Sequence, residues 1–113
     1  MTADERQFLL TAAWLFMRHG QRDRARNVCD ALVEDNPRDG TVAMALAELL
    51  IDDGAAVEAV EIMRAADVPE SLSHAEAVLE TRALRLMGRT SEARSRWSRY
   101  LESRKGAARQ WMA

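Results

Sequence analysis

Residues 16–29 read FMRHGQRDRARNVC, and the same skeleton returns as LIDDGAAVEAVEIM at 50–63 and LRLMGRTSEARSRW at 84–97. Gly20, Gly54 and Gly88 stand 34 residues apart, as do Ala25, Ala59 and Ala93. A glycine between two apolar periodic segments permits the backbone conformation that ends one helix and reverses the chain. The alanine five residues on falls early in the next helix, where a small side chain lets the two helices approach closely. Large packing residues keep the same interval: Phe16, Leu50 and Leu84 before the glycine, and Cys29, Met63 and Trp97 after it. The stretch therefore reads as helix, tight reversal, helix, written three times.

A period of this length, with glycine and alanine at those offsets, is the signature of the tetratricopeptide array, whose unit is a pair of antiparallel helices. The expected fold is all-α: three tetratricopeptide-type helix hairpins stacked as a short right-handed solenoid with a concave groove. A single domain is expected over residues 1–113, with repeats at about 6–39, 40–73 and 74–107 and a short C-terminal segment, 106–113. Helices are predicted at about 4–19, 22–35, 39–53, 56–67, 74–87 and 90–105, with no strand. Thr2 with Glu5, and Ser73 with Glu76, have capping-box spacing and mark the starts of the first helices of repeats one and three. Asn36-Pro37 stops the second helix, because the residue before a proline is pushed out of the helical region. Pro69 lies 15 residues after Gly54 whereas Pro37 lies 17 after Gly20, so repeat two ends early and the link up to Ser73 is the expected irregularity.

At 113 residues the chain buries a modest core, and apolar surface left open for a partner weakens it further when alone. The one cysteine excludes an internal disulfide and suits a reducing compartment. Phe8 to Met17 is apolar apart from Thr11, but an acidic approach through Asp4 and Glu5, and Arg18-His19 in place of a small-residue cleavage site, mark it as mature helix. The protein is expected to be cytoplasmic. Its net charge of −2 conceals a strong asymmetry. Residues 27–80 carry 13 acids against Arg38 and Arg64, whereas residues 81–113 carry nine bases against Glu92 and Glu102. Such faces keep a small domain dissolved, and they also orient a partner of complementary charge.

One stripe of the first helix, Leu9, Ala12, Ala13 and Phe16, has the spacing that faces a partner helix. A second apolar stripe, Leu10, Trp14 and Met17, lies around the helix from it. Its counterparts are Met44, Glu48 and Ile51 in repeat two, and Val78, Arg82 and Arg85 in repeat three. Stacked repeats place these on one concave wall, apolar at the amino end and basic at the carboxyl end, with Gln7, Arg18, Asp52 and Leu86 beside them. That wall is the candidate binding site, and the alternative is that the next repeat buries the apolar stripe. Trp14 favours a binding surface, because tryptophan is a frequent anchor for apolar side chains of a partner. Met17 and Met44 suit a surface that adapts to an amphipathic helix. Trp97 sits at a packing position, and Trp111 either caps the open end or meets a partner.

Catalytic constellations are not found. His19 precedes the turn glycine and His74 lies near a helix start, neither with metal-ligand spacing to a second donor. Cys29 reads as a core residue, and Asp52-Asp53-Gly54 as turn chemistry. No phosphate-cradling loop appears, and the acidic middle argues against nucleic acid despite the basic end. No metal, cofactor or enzymatic activity is expected.

A short acidic lead, then Gln7-Phe8-Leu9-Leu10, Trp14-Leu15, Gly20, Arg24-Ala25, Ala31-Leu32 and Asn36-Pro37, closed by Gly88, Glu92-Ala93-Arg94 and Tyr100-Leu101-Glu102, resembles the YscY (SctY) family of type III secretion chaperones. The likeness covers about residues 6–104, is specific in the first repeat, and is carried in the second by Gly54, Ala59 and apolar pattern. It implies a cytosolic chaperone that forms a heterodimer with a small secreted YscX-like protein, the pair then engaging the cytosolic ring of a YscV-like export gate. On that reading Leu10, Trp14, Met17, Met44 and Ile51 supply burial, while Glu48, Asp52, Arg82 and Arg85 fix register. Two alternatives stay open: a needle-subunit chaperone of the same secretion systems, and a self-associating tetratricopeptide adaptor that forms a homo-oligomer when no partner is present.

Overall fold

All three repeat glycines adopt positive φ, 73° at Gly20, 82° at Gly54 and 77° at Gly88, the left-handed conformation that costs glycine least. Each closes a helix with the same pair of bonds. The amide after the glycine donates back across the last turn, Gln21 to Phe16 at 2.8 Å, Ala55 to Leu50 at 2.8 Å and Arg89 to Leu84 at 2.9 Å. The glycine amide itself donates three residues back, to Met17, Ile51 and Arg85. Together these satisfy the carbonyls that a helix end leaves open.

The computed structural model describes residues 1–112. The reversals join α1 (Ala3–Arg18) to α2 (Arg22–Asp35), α3 (Gly40–Asp52) to α4 (Ala56–Ala65), and α5 (Ser73–Leu86) to α6 (Thr90–Met112). Successive hairpins stack, α3 against α2 and α5 against both α4 and α3, so the architecture is an all-α solenoid of helical hairpins. No helix among the described residues is long and apolar enough to cross a membrane.

The alanines meet their expectation: Ala25, Ala59 and Ala93 are completely buried where the second helix of each pair crosses the first. The core centres on α3, whose Leu46, Leu49, Leu50 and Ile51 are all fully enclosed together with Cys29, Ala47 and Met63. A helix apolar over most of its circumference is one that neighbours enclose, and α3 is the middle first helix of the stack. Burial pushes the Cys29 thiol up to about 11, with Asp30 adding to the effect, so the side chain packs as an apolar group.

Two starts are defined by caps. The Glu5 amide donates to the Thr2 hydroxyl oxygen at 3.1 Å, as the sequence predicts for α1. The predicted cap at Ser73 is not formed. A 3-10 turn over Glu70–Leu72 runs directly into α5, so Ser73 already has helical angles, φ −59° and ψ −37°, and its hydroxyl caps nothing. Asp39, unmarked in the sequence, is the second cap, its carboxylate accepting from the Val42 amide at 3.3 Å.

The link between repeats two and three is the irregular one, as Pro69 foretells. Helix α4 stops at Ala65, short of the predicted 67, because Ala66 is extended and the Asp67 amide donates to the Arg38 carbonyl at 2.9 Å. This lays residue 67 alongside residue 39 in an isolated parallel bridge. Gly40, wholly buried at the start of α3, lies beneath it. At the other end α6 runs seven residues past the predicted stop at 105, through Gly106 to Met112, so the segment 106–112 continues the helix.

Arg6 ties the first two repeats together. Its guanidinium donates to Asp35 at 2.6 Å, to Asp39 at 2.7 Å and to the Leu32 carbonyl at 3.3 Å, bridging α1, the end of α2 and the cap of α3. Burial alone would push the Asp39 carboxyl up, but the Arg6 bond and the Val42 and Thr41 amides outweigh it and hold the group below its ordinary 3.8. A carboxyl with a lowered folded value contributes stability that is present above 3.8 and is lost as pH falls through the folded value. The urea midpoint of Asp39→Asn is therefore expected to fall less than that of the parent between about pH 5 and about pH 2.5. Glu76 works in the opposite sense: burial, with Glu80 and Glu70 nearby, outweighs Arg96 and holds its carboxyl above 4.5.

Candidate functional site

The first and second repeats leave a concavity of about 540 Å³ between α1 and α3. Helix α1 supplies Gln7, Leu10, Thr11, Ala13, Trp14, Met17 and Arg18, and α3 supplies Thr41, Ala45 and Glu48. The floor is apolar and the rim polar, the layout of a surface that buries a ligand's apolar side chains and orients them from the edge. Trp14 stands half in solvent, 53 % exposed, and the Arg18 guanidinium lies over its ring, 4.7 Å from the centroid. That cation–π contact fixes the face of the indole. Leu10 and Met17 flank it, each partly buried.

Six residues expected on the concave wall meet in this groove: Gln7, Leu10, Trp14, Met17, Arg18 and Glu48. Met44 and Ile51 do not join them. At 6 % and 2 % exposure they belong to the core, because neighbouring helices cover both positions. Asp52 and Arg82 face each other instead of a partner, paired at 2.9 Å, and Asp52 also meets Arg22 at 3.4 Å. This pair spans α3 and α5, so the wall is not one continuous trough. Val78, Arg82 and Arg85 line a separate concavity of about 300 Å³ with Thr81 and Trp97. Leu86 is exposed outside both.

The sequence reading missed Thr41 and Ala45, although the 34-residue interval from Gln7 and Thr11 points to them. Trp97, expected in the core, is only partly buried and forms a cluster with His74 and Tyr100, ring centroids 6.2 Å and 5.4 Å away. His74 Nδ1 lies 3.1 Å from the Tyr100 hydroxyl, which gives that histidine a structural role. Trp111 is almost fully exposed on the last turn of α6.

A family model described as a tetratricopeptide repeat matches residues 10–75, more than half of the chain and all of the groove lining except Gln7. No curated protein matches the sequence.

Proposed function

Because the chain belongs to the tetratricopeptide repeat family, we propose that it is a protein-binding chaperone whose groove between α1 and α3 holds an apolar helical segment of a smaller partner. Repeats of this family serve protein interaction in general, so a polypeptide is the natural ligand. The observation that carries the reading is Trp14, a half-exposed indole held by Arg18 on an otherwise apolar floor. An aromatic side chain kept at the surface in a fixed orientation is the usual anchor of an interface. Leu10, Met17 and Ala45 surround it with the shape-tolerant surface that an amphipathic helix requires. Glu48 on one rim and Arg18 on the other offer opposite charges that set the direction in which the helix lies.

The likeness of the first repeat to type III secretion chaperones narrows the partner to a small secreted, YscX-like protein, passed on with the chaperone to a YscV-like export gate. In that role the groove shields apolar surface from aggregation until transfer, and no bond is made or broken. Each partner gains apparent stability from the other by mass action.

Co-expression tests the reading. The full chain, tagged and produced with a YscX-like protein, a needle subunit or an unrelated secreted protein, is expected to co-purify in a fixed ratio with the first. Co-purification with the needle subunit instead transfers the assignment to the needle-subunit chaperones, and capture of none of the three overturns the secretion role.

A further inference from the structure

The repeat register assigns a use to the two ends of the stack. Val42 and Leu49 of α3 are fully buried, and Ala83 of α5 is too. The residues at the same register in α1 are Phe8 and Leu15, and they are 73 % and 47 % exposed. The difference between the first repeat and the others is that α3 and α5 have a preceding hairpin to lie on. Phe8 and Leu15 are therefore the face that α1 would lay on such a hairpin.

The opposite end shows the complementary deficit. Cys29 of α2 and Met63 of α4 are fully buried beneath the following hairpin, whereas Trp97, at the same register in α6, is only partly covered. Next to it the Thr81 hydroxyl is buried without a hydrogen-bond partner, and Ala13 and Ala47 occupy its register in the inner repeats. Val78 stands exposed at the mouth of the same concavity. A hydroxyl left unsatisfied at a water-excluding surface is costly unless another group completes it.

We infer that these two ends are partners for each other between copies: α1 of one molecule docks on α5 and α6 of the next, in the position of a fourth first helix. The charges agree with that register. The start of α3 lies beside the end of α2, where Arg6 joins Asp35 to Asp39. The matching place in α6 is Ser103, with Arg104 and Lys105 directly after it, and the first turn of an incoming α1 brings Asp4 and Glu5. A helix from another protein would need to supply both the apolar pair and the acidic first turn that this chain already possesses. Contact between unlike faces is heterologous, so it propagates head to tail and does not stop at a symmetric pair.

Sedimentation velocity of the full chain from about 5 µM to about 500 µM is the test, since an open association grows with concentration. The parent is expected to shift steadily to larger species. Phe8→Glu with Leu15→Glu, which blocks one face, and Val78→Glu with Leu101→Glu, the latter in α6 at the register of the core-packed Val33, which blocks the other, are each expected to remain monomeric with unchanged helical circular dichroism. These four side chains are exposed, so folding tolerates the changes. Mixed in equal amounts, the two variants are expected to form a single heterodimer, because one intact face of each kind remains. A parent that stays monomeric throughout, or a mixture that stays monomeric, overturns the inference. Trp14→Ala is expected to self-associate like the parent; its loss of association would place the contact in the groove and overturn it as well. Partner capture through the groove is measured separately and stands or falls without this result.

Discussion

Replacing Gly40 by alanine is expected to destabilise the protein by about 3 kcal/mol, at the upper end of overpacking costs. An added Cβ would collide with the Asp67 carbonyl oxygen, and would come within 2.6 Å of Val68 Cα and 2.7 Å of the Asp67 carbonyl carbon. All three are backbone atoms, so no side-chain rotation relieves the contact. They belong to the strand-like crossing that seats the link after α4 on the start of α3, and relief would mean lifting that link away from α3. In a thermal melt each kcal/mol lowers the midpoint by roughly 4–8 °C for a domain of this size. Gly20→Ala is the control. Its φ of 73° is unfavourable for alanine, but nothing lies within 4 Å of the new methyl group. Only the local backbone cost of about 1–2 kcal/mol is expected there. Equal melting temperatures for the two variants would mean that the link gives way more readily than its packing implies.

Trp14→Ala is expected to weaken partner capture by at least about thirty-fold, or roughly 2 kcal/mol, while leaving the melting temperature within about 1 °C of the parent. The first half follows from the loss of the largest apolar surface in the groove and of the plane on which Arg18 rests. The second half follows from the exposure of the indole, which contributes little to the folded core. Isothermal titration with the co-purifying partner measures the first, and a melt measures the second. Met44→Glu is unsuitable as a companion change, because Met44 lies in the core and a carboxylate there would unfold the chain. Glu48→Lys serves better: it sits on the rim, and reversal of its charge is expected to weaken binding without touching the fold.

The contrast between Met44 and Trp14 shows what a single repeating sequence does and does not disclose. The hairpins are legible because glycine at 20, 54 and 88 and alanine at 25, 59 and 93 answer local demands, a left-handed backbone and a close crossing, that do not depend on the neighbours. Exposure depends on the neighbours alone. Leu10, Met44 and Val78 share one register, yet the first is partly buried, the second enclosed and the third open, according to whether a hairpin lies after it, on both sides or before it. Projecting the register onto one wall treated these three environments as equal. The same oversight hid the Asp52–Arg82 pair, whose partners stand 30 residues apart and belong to different repeats. The close approach at Gly40 arises from the link after α4, where the 34-residue interval is broken, and the local cap at Asp39 has Glu5 at its register in repeat one, so periodicity carries no information about either.

Helix α3 has hairpins on both sides and most of its side chains enclosed, whereas α1 and α6 each have an open flank. Opening the protein from the middle would expose two interfaces at once, and opening it from an end exposes only one. Thermal fluctuations therefore peel the molecule from its extremities, and deuterium enters the amides of α3 last. Because the groove opens between α1 and α3, the peeling of a terminal hairpin would also be the cheapest way for the proposed partner segment to be let go.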